Sequence, residues 1–280
     1  MELNKYIDHT YLKPFAMESD IIRICDEAKK YHFASVCVNP CNVPLVAKEL
    51  AGSDVAVCSV VGFPFGTHTT KTKLFETREA LDNGADEIDM VINVGRLIQG
   101  DEAYVEQEVA ALVQLCHERG KILKVIIETC YLNEEQIKAM CRIVESTHAD
   151  FIKTSTGYGS RGANFEDIEL FKKYLKIPAK MKASGGIRTT EDAKRYVESG
   201  CSRLGTSNGV SIMAGRLLLP RSMPKTPPRR RASPRRMTVE NRFTSESMAI
   251  ISLTISIFSS FSLSRSFKTA ISTQIIPRIL

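Results

Sequence analysis

Several familiar signatures are missing from this 280-residue chain. None of its eight cysteines (positions 25, 37, 41, 58, 116, 130, 141 and 201) forms a Cys-x-x-Cys pair or joins a histidine at zinc-ligand spacing, which excludes a zinc ribbon or finger. Most of them fall inside apolar runs, the habit of buried free thiols in a reducing compartment rather than of a disulfide framework. The five histidines, His9, His32, His68, His117 and His148, are scattered and make no ligand cluster. Each reads as a surface, helix-end or loop residue. Met1 to Asp8 carries acids and no apolar core, so no signal peptide is expected and the body reads as cytoplasmic. A Ser-laced apolar run over 249–263 spans 15 residues, short of the ~20 that a membrane span needs.

Basic excess is also missing from most of the chain. The formal net charge of +6 averages two unlike pieces. Residues 216–280 hold 12 Lys/Arg against Glu240 and Glu246, whereas 1–215 holds 26 basic and 30 acidic residues. A mildly acidic body excludes a nucleic-acid-binding function argued from charge. Hydrophobic and charged contents of 43% and 25% suit a globular protein.

What is present is a regular alternation. Strand patterns fall at Tyr6–Thr10, Ser35–Asn39, Val55–Val61, Glu87–Asn93, Ile122–Glu128, Phe151–Thr156, Ala179–Ser184 and Arg203–Ser207. Helical periods separate them at Ser19–Tyr31, Val43–Leu50, Thr70–Asn83, Glu102–Arg119, Glu134–Thr147, Phe165–Leu175 and Glu191–Ser199. Asn133 and Thr190 stand as helix caps, and Gly84, Gly120 and Gly200 as helix ends. Eight strands and seven intervening helices in about 215 residues predict the α/β class and a closed (β/α)8 TIM barrel. A doubly wound open sheet is the lesser alternative, since no Gly-x-Gly-x-x-Gly turn follows the first strand.

Successive strand residues alternate faces, and helices cover the outside of such a barrel with apolar contacts. One parity is apolar: Val36, Val38, Ile88, Met90, Leu123, Val125, Met181, Ala183. The other is polar on strand after strand: Asp8, Thr10, Cys37, Asn39, Asp89, Asn93, Lys124, Glu128, Lys153, Ser155, Lys182, Ser184. That set is expected to face the interior, where an isolated charge costs several kcal/mol. A lysine amine attacks a carbonyl only when neutral, and a neighbouring cation with desolvation favours the neutral form. Lys153 and Lys182, at similar depth on adjacent strands, satisfy that requirement, and Asp89 could move protons. Buried ion pairing of the two lysines with Asp89 and Glu128 is the competing structural explanation. Two glycine turns, Ser184-Gly185-Gly186-Ile187-Arg188 and Gly205-Thr206-Ser207-Asn208-Gly209, lie where barrels of this kind hold phosphate, and favour a phosphorylated aldehyde or ketone.

Seven stretches carry a resemblance. Tyr6-Ile-Asp-His-Thr-Tyr-Leu12, Ser35-Val-Cys-Val-Asn-Pro40, Val61-Gly-Phe-Pro-Phe-Gly66, Phe151-Ile-Lys-Thr-Ser-Thr-Gly157, Met181-Lys-Ala-Ser-Gly-Gly-Ile-Arg188 and Leu204-Gly-Thr-Ser-Asn208 resemble the deoxyribose-phosphate aldolases. So does Asp89 within Glu87-Ile-Asp-Met-Val-Ile-Asn93, and the resemblance runs in order from about residue 3 to 213. It implies a class I aldolase that cleaves 2-deoxyribose 5-phosphate to glyceraldehyde 3-phosphate and acetaldehyde. Lys153 would be the Schiff-base lysine, with Lys182 and Asp89 as proton-transfer and pKa-setting partners. Gly157, Gly185, Gly186, Ser207 and Asn208 would hold the phosphate, and Asp8, Thr10 and Cys37 would line the pocket. The imine supplies the electron sink, so no metal or other cofactor is expected. The expected partner is a small phosphorylated sugar, with neither nucleic acid nor membrane. Members of the family often pair, which allows a homodimer that no surface in the sequence marks.

The chain departs from the pattern after Met213. Residues 220–236 are Pro/Arg-rich and predict disorder, and 249–263 would be an aggregation hazard if exposed. A domain boundary is expected at 215/216. The abrupt change of composition and the loss of cysteine favour a shifted reading frame over a membrane anchor or a nucleic-acid-binding extension. On that reading the last helix is truncated, which puts barrel closure in doubt and predicts weakened catalysis or an unstable chain. Rival functions are another lysine-imine sugar-phosphate aldolase or transaldolase, a phosphate-binding isomerase, and an inactive barrel whose basic tail binds a membrane or nucleic acid.

Overall fold

The computed structural model describes residues 2–176 and 179–215. The expected tail over 216–280, its domain boundary, its predicted disorder and its apolar run lie outside the described residues. Eight parallel strands form the wall: β1 (Ile7–Tyr11), β2 (Ser35–Val38), β3 (Ala56–Val61), β4 (Glu87–Val91), β5 (Ile122–Ile126), β6 (Phe151–Lys153), β7 (Lys180–Ser184) and β8 (Cys201–Thr206). They pair in sequence order into a closed barrel. The α-helices are α1 (Glu18–Tyr31), α2 (Val43–Glu49), α3 (Thr70–Asp82), α4 (Val94–Ile98), α5 (Glu102–His117), α6 (Glu134–Ser146), α7 (Phe165–Tyr174), α8 (Thr190–Glu198) and α9 (Gly209–Met213).

The expected damage to closure is not found. β8 pairs with β1 through Ile7↔Leu204, Asp8↔Gly205 and His9↔Thr206, and α9 packs on α1, α8 and β1. The seam needs only the ladder and one helical turn, and both lie upstream of residue 216. Strands end earlier than their patterns suggest. β5 stops at Ile126 because Glu128 takes a left-handed conformation (φ 53°, ψ 66°), which no strand can absorb. Thr189, not Thr190, caps α8 by accepting from Asp192 N–H, whereas Asn133 caps α6 in a reciprocal box with Gln136. Among the described residues no helix is long and apolar enough to cross a membrane.

Two cores follow from strand parity. The outer face of the sheet (Val36, Val38, Ile88, Met90, Leu123, Val125, Ala183) meets helix side chains such as Ile24, Leu112, Met140 and Phe171. Each such aliphatic side chain contributes about 1.5–3 kcal/mol on burial. Inside the barrel the apolar material is sparse: Cys37, Cys58 and Val60, with Leu12 and Phe63 against them. All eight cysteines are free and six are buried. His9 overturns its expected surface or loop placement. It lies on the outer face of β1 at 2% exposure, beside Phe33, with Nε2 2.6 Å from Glu27 Oε2. Outward on a barrel strand means under a helix, here α1.

Candidate active site

The rest of the interior is charged. Asp8 on β1, Glu87 and Asp89 on β4, Lys124 on β5, Lys153 on β6, Lys182 on β7 and Arg203 on β8 form one network. Its register is fixed by the ladder, which sets Asp89 beside Lys124, Lys153 beside Lys182, and Lys182 beside Arg203. Asp89 is the hub. Its Oδ2 accepts from Lys153 Nζ at 2.6 Å and Lys182 Nζ at 2.7 Å, while Oδ1 accepts from Lys124 Nζ at 2.8 Å and the Cys58 thiol at 3.3 Å. Lys182 also pairs with Asp8 Oδ2. Asp8 Oδ1 takes the Ser35 hydroxyl and Arg203 Nη1, both at 2.7 Å, and Arg203 spans Glu87 at 2.8 and 3.0 Å.

Burial alone would raise the carboxyl pKa of Asp89, but the Lys124, Lys153 and Lys182 charges outweigh it and hold the group well below the usual range. Asp8 is depressed in the same way, against its own desolvation, by Lys182, Lys124 and Arg203. Burial acts to lower Lys182, yet Asp8 and Asp89 more than offset it, so Lys182 is raised and stays cationic. The two lysines therefore share one carboxylate oxygen, with Lys182 as a fixed charge beside Lys153. Glu128 is not part of this set. Its Oε2 accepts from the Thr156 N–H at 3.1 Å and from the Thr156 hydroxyl. The ion-pair explanation is thus correct for both lysines with Asp89 and incorrect for Glu128.

Above the network, at the C-terminal ends of the strands, lies a cleft of about 590 Å³. Among the interior cations Lys153 alone lines it, 4% exposed, while Asp89, Lys124 and Lys182 are fully buried. Gly157, Gly185, Gly186, Ser207, Asn208 and Thr10 line the cleft as expected. Asp8 and Cys37 do not. Both are fully buried: Asp8 is held by Lys182 and Arg203, and Cys37 packs with Cys58 and Val60. Parity gives the face of a strand but not what packs over it: Cys37 is level with Thr10 and Asp8 with Gly205, yet both are covered by their neighbours. Gly185 requires its glycine: φ is +84°, and a Cβ there would meet Gly162 Cα at 3.0 Å and Gly157 Cα at 3.3 Å. Gly186, at φ +82°, would place its Cβ in open space.

Cys37 Sγ, Cys58 Sγ and an Asp89 oxygen lie within 4.8 Å of one another, the one such group among the described residues. The position is already served by an ammonium, since Lys124 Nζ is 2.8 Å from Asp89 Oδ1 and 3.5 Å from Cys58 Sγ. The donor set therefore fits a metal poorly. Sequence reasoning missed Glu87 and Arg203, though Glu87 shares Asp89's parity, and it assigned no role to Tyr158, Lys13 or Arg23 in the cleft wall.

This is a barrel with a lysine at the floor of a phosphate-sized cleft, and comparison places it. Residues 3–216 match the DeoC/LacD family aldolases, and the chain belongs to that family. It is 64% identical over 216 residues to a protein of Treponema denticola named deoxyribose-phosphate aldolase, covering 77% of this chain and 100% of that one. Among solved structures it resembles the aldolase QR15 (TM-score 0.72, 40% identity, 76% of this chain and 94% of the other). It also resembles a tetrameric deoxyribose phosphate aldolase of Aeropyrum pernix (TM-score 0.71, 31% identity, 76% and 89%). The barrel up to about residue 216 thus corresponds to the whole of the Treponema protein, which leaves no part of that relative for the tail to replace.

Proposed function

We propose that the protein reversibly cleaves 2-deoxy-D-ribose 5-phosphate to D-glyceraldehyde 3-phosphate and acetaldehyde through a Schiff base on Lys153. The observation that carries this reading is that Lys153 is, among the described residues, the one interior lysine that lines the cleft, while its partner oxygen on Asp89 is shared with Lys182. The neutral amine adds to the C1 aldehyde, and loss of water leaves a protonated imine. Removal of the proton from the C3 hydroxyl breaks the C2–C3 bond, with the electron pair passing to the imine nitrogen. Glyceraldehyde 3-phosphate leaves, the enamine takes a proton at C2, and hydrolysis returns acetaldehyde and the free amine. A cationic nitrogen is the electron sink throughout.

Asp89 is a weak base while three ammoniums hold it. Converting the Lys153 ammonium to a carbinolamine frees one of its contacts, and its basicity rises when the C3 proton must be moved, directly or through water. Lys182 stays charged and keeps Asp89 in place. Gly157, Gly185, Gly186, Ser207 and Asn208 would take the phosphate at the opposite end of the cleft from the reacting carbonyl, with Thr10 in the wall. A cytoplasmic site of action fits eight unpaired thiols, and self-association is a matter for sedimentation. Borohydride reduction in the presence of acetaldehyde, followed by peptide mass mapping, should place a reduced adduct on Lys153. The adduct should vanish in Lys153→Ala, and folded wild-type protein that gives no adduct refutes the imine.

A further inference from the structure

Charge matching in the cleft points beyond the glycine turns. A phosphate monoester brings about −1.5 to −2 at pH 7. Three cations line the cleft wall above the network: Lys13, Arg23 and Arg188. Arg23 is committed to α1 carboxylates, 3.0 Å from Glu27 and 3.5 Å from Asp20. Lys13 and Arg188 have no carboxylate within 4.0 Å among the described residues. Two uncommitted cations facing a site for a dianion leave the charge balanced, and one of them comes from the β1 loop, far in sequence from both glycine turns.

The β1 loop is not left to itself. Tyr158 Oη donates to the Leu12 carbonyl at 2.7 Å, tying the loop after β6 to the residue before Lys13. Tyr158 is braced in turn. Its N–H donates to Thr156 Oγ1 at 3.0 Å, Thr156 is gripped by the buried Glu128 carboxylate, and the Phe63 ring meets the Tyr158 ring edge-on at 5.5 Å. The left-handed backbone of Glu128 supplies that grip, a strained conformation of the kind found beside functional sites. The Ala16 N–H donates to the Lys13 carbonyl at 3.1 Å and closes the turn from the other side.

We propose that Lys13 is a specificity-determining residue that recognises the substrate phosphate, and that Tyr158 is a positioning residue that holds Lys13 at the cleft through Leu12. The assignment rests on the aldolase reading above. Its test compares 2-deoxyribose 5-phosphate with unphosphorylated 2-deoxyribose in four variants. Lys13→Gln should raise KM for the phosphorylated sugar about tenfold, with kcat within about twofold and kcat/KM for 2-deoxyribose unmoved. Lys13→Arg should restore most of the affinity, and the loss in Lys13→Gln should shrink as salt is raised. Tyr158→Phe keeps the ring and removes the latch, so it should raise the same KM by a smaller factor. Added to Lys13→Gln, it should do nothing further. Equal effects on both sugars, no effect on either, or full additivity of the two substitutions would each overturn the proposal. Borohydride adduct formation on Lys153 with acetaldehyde, which has no phosphate, is read in the same variants. Its absence in wild type would mean that the aldolase reading has failed, not the assignment of Lys13.

Discussion

Replacing Lys182 by methionine tests whether the interior network behaves as a balanced set of charges or as a string of separate pairs. Three carboxylates, Asp8, Glu87 and Asp89, face four cations, Lys124, Lys153, Lys182 and Arg203, so loss of Lys182 leaves three against three. No carboxylate is orphaned. Asp89 keeps Lys153 at 2.6 Å and Lys124 at 2.8 Å, and Asp8 keeps Arg203 and Ser35 at 2.7 Å. Removing one partner of a buried pair costs about 3–5 kcal/mol when the other is stranded. Here the loss should be about 2 kcal/mol, that of charge-assisted hydrogen bonds with neighbours intact. For a domain of this size that is a fall in Tm of about 4–8 °C. Asp89→Leu instead leaves four cations facing two carboxylates and strands the Lys153 ammonium, while Lys124 keeps Glu87 and Lys182 keeps Asp8, so its fall should be about twice as large. Differential scanning fluorimetry of both variants decides the matter, and a Lys182→Met fall equal to or larger than that of Asp89→Leu refutes the balance argument. Turnover should drop by about 10²–10⁴ in Lys182→Met if Asp89 carries the proton as proposed, because the fixed charge that holds Asp89 in place is removed.

Acid should act through the same groups. Asp8 and Asp89 are held below their unfolded pKa of about 3.9, so their contribution to stability is complete above that value and is lost as pH falls toward the folded pKa. Urea midpoints should be level between about pH 7 and 5 and should drop steeply below about pH 4; a main loss between pH 7 and 5 would contradict the assignment. Removal of residues 217–280 should leave the Lys153 adduct and kcat within about twofold of the full chain, because the barrel closes through β8 and β1 and the family match ends at 216. A truncated protein that is folded but inactive would show that the tail belongs to the site.

The legible and illegible parts of this protein divide along physical lines. Long periodic segments are legible in the sequence, and the polar parity of the strands points Asp89, Lys124, Lys153 and Lys182 inward, where the structure has them. Period-two patterns give the face of a strand and not what covers a side chain, so they put Asp8 and Cys37 in the pocket wall, whereas both are fully covered, Asp8 by Lys182 and Arg203 and Cys37 by Cys58 and Val60. Polarity also runs past the point where a ladder ends, so the strand readings ran on past Ile126 and Lys153. α4 and α9, with five residues each, are too short for a helical period to register. His9 reads from sequence as a surface, helix-end or loop residue, but the outward face of β1 that carries it lies under α1. Lys13 and Tyr158 carry no local pattern at all; only the closed barrel brings Tyr158 to Leu12, 146 positions away.

The inside of this barrel is filled largely by ions where hydrocarbon would serve, and that has a thermal consequence. Unfolding exposes seven charged side chains of the network to water, and polar exposure lowers the heat capacity of the unfolded chain while apolar exposure raises it. The charged layer therefore offsets part of the large positive heat-capacity change contributed by the outer apolar layer, and flattens the curve of stability against temperature. Hydration of those charges also weakens as temperature rises, so confining them costs less when the protein is hot. The charged interior thus widens the range of temperature over which the barrel stays closed.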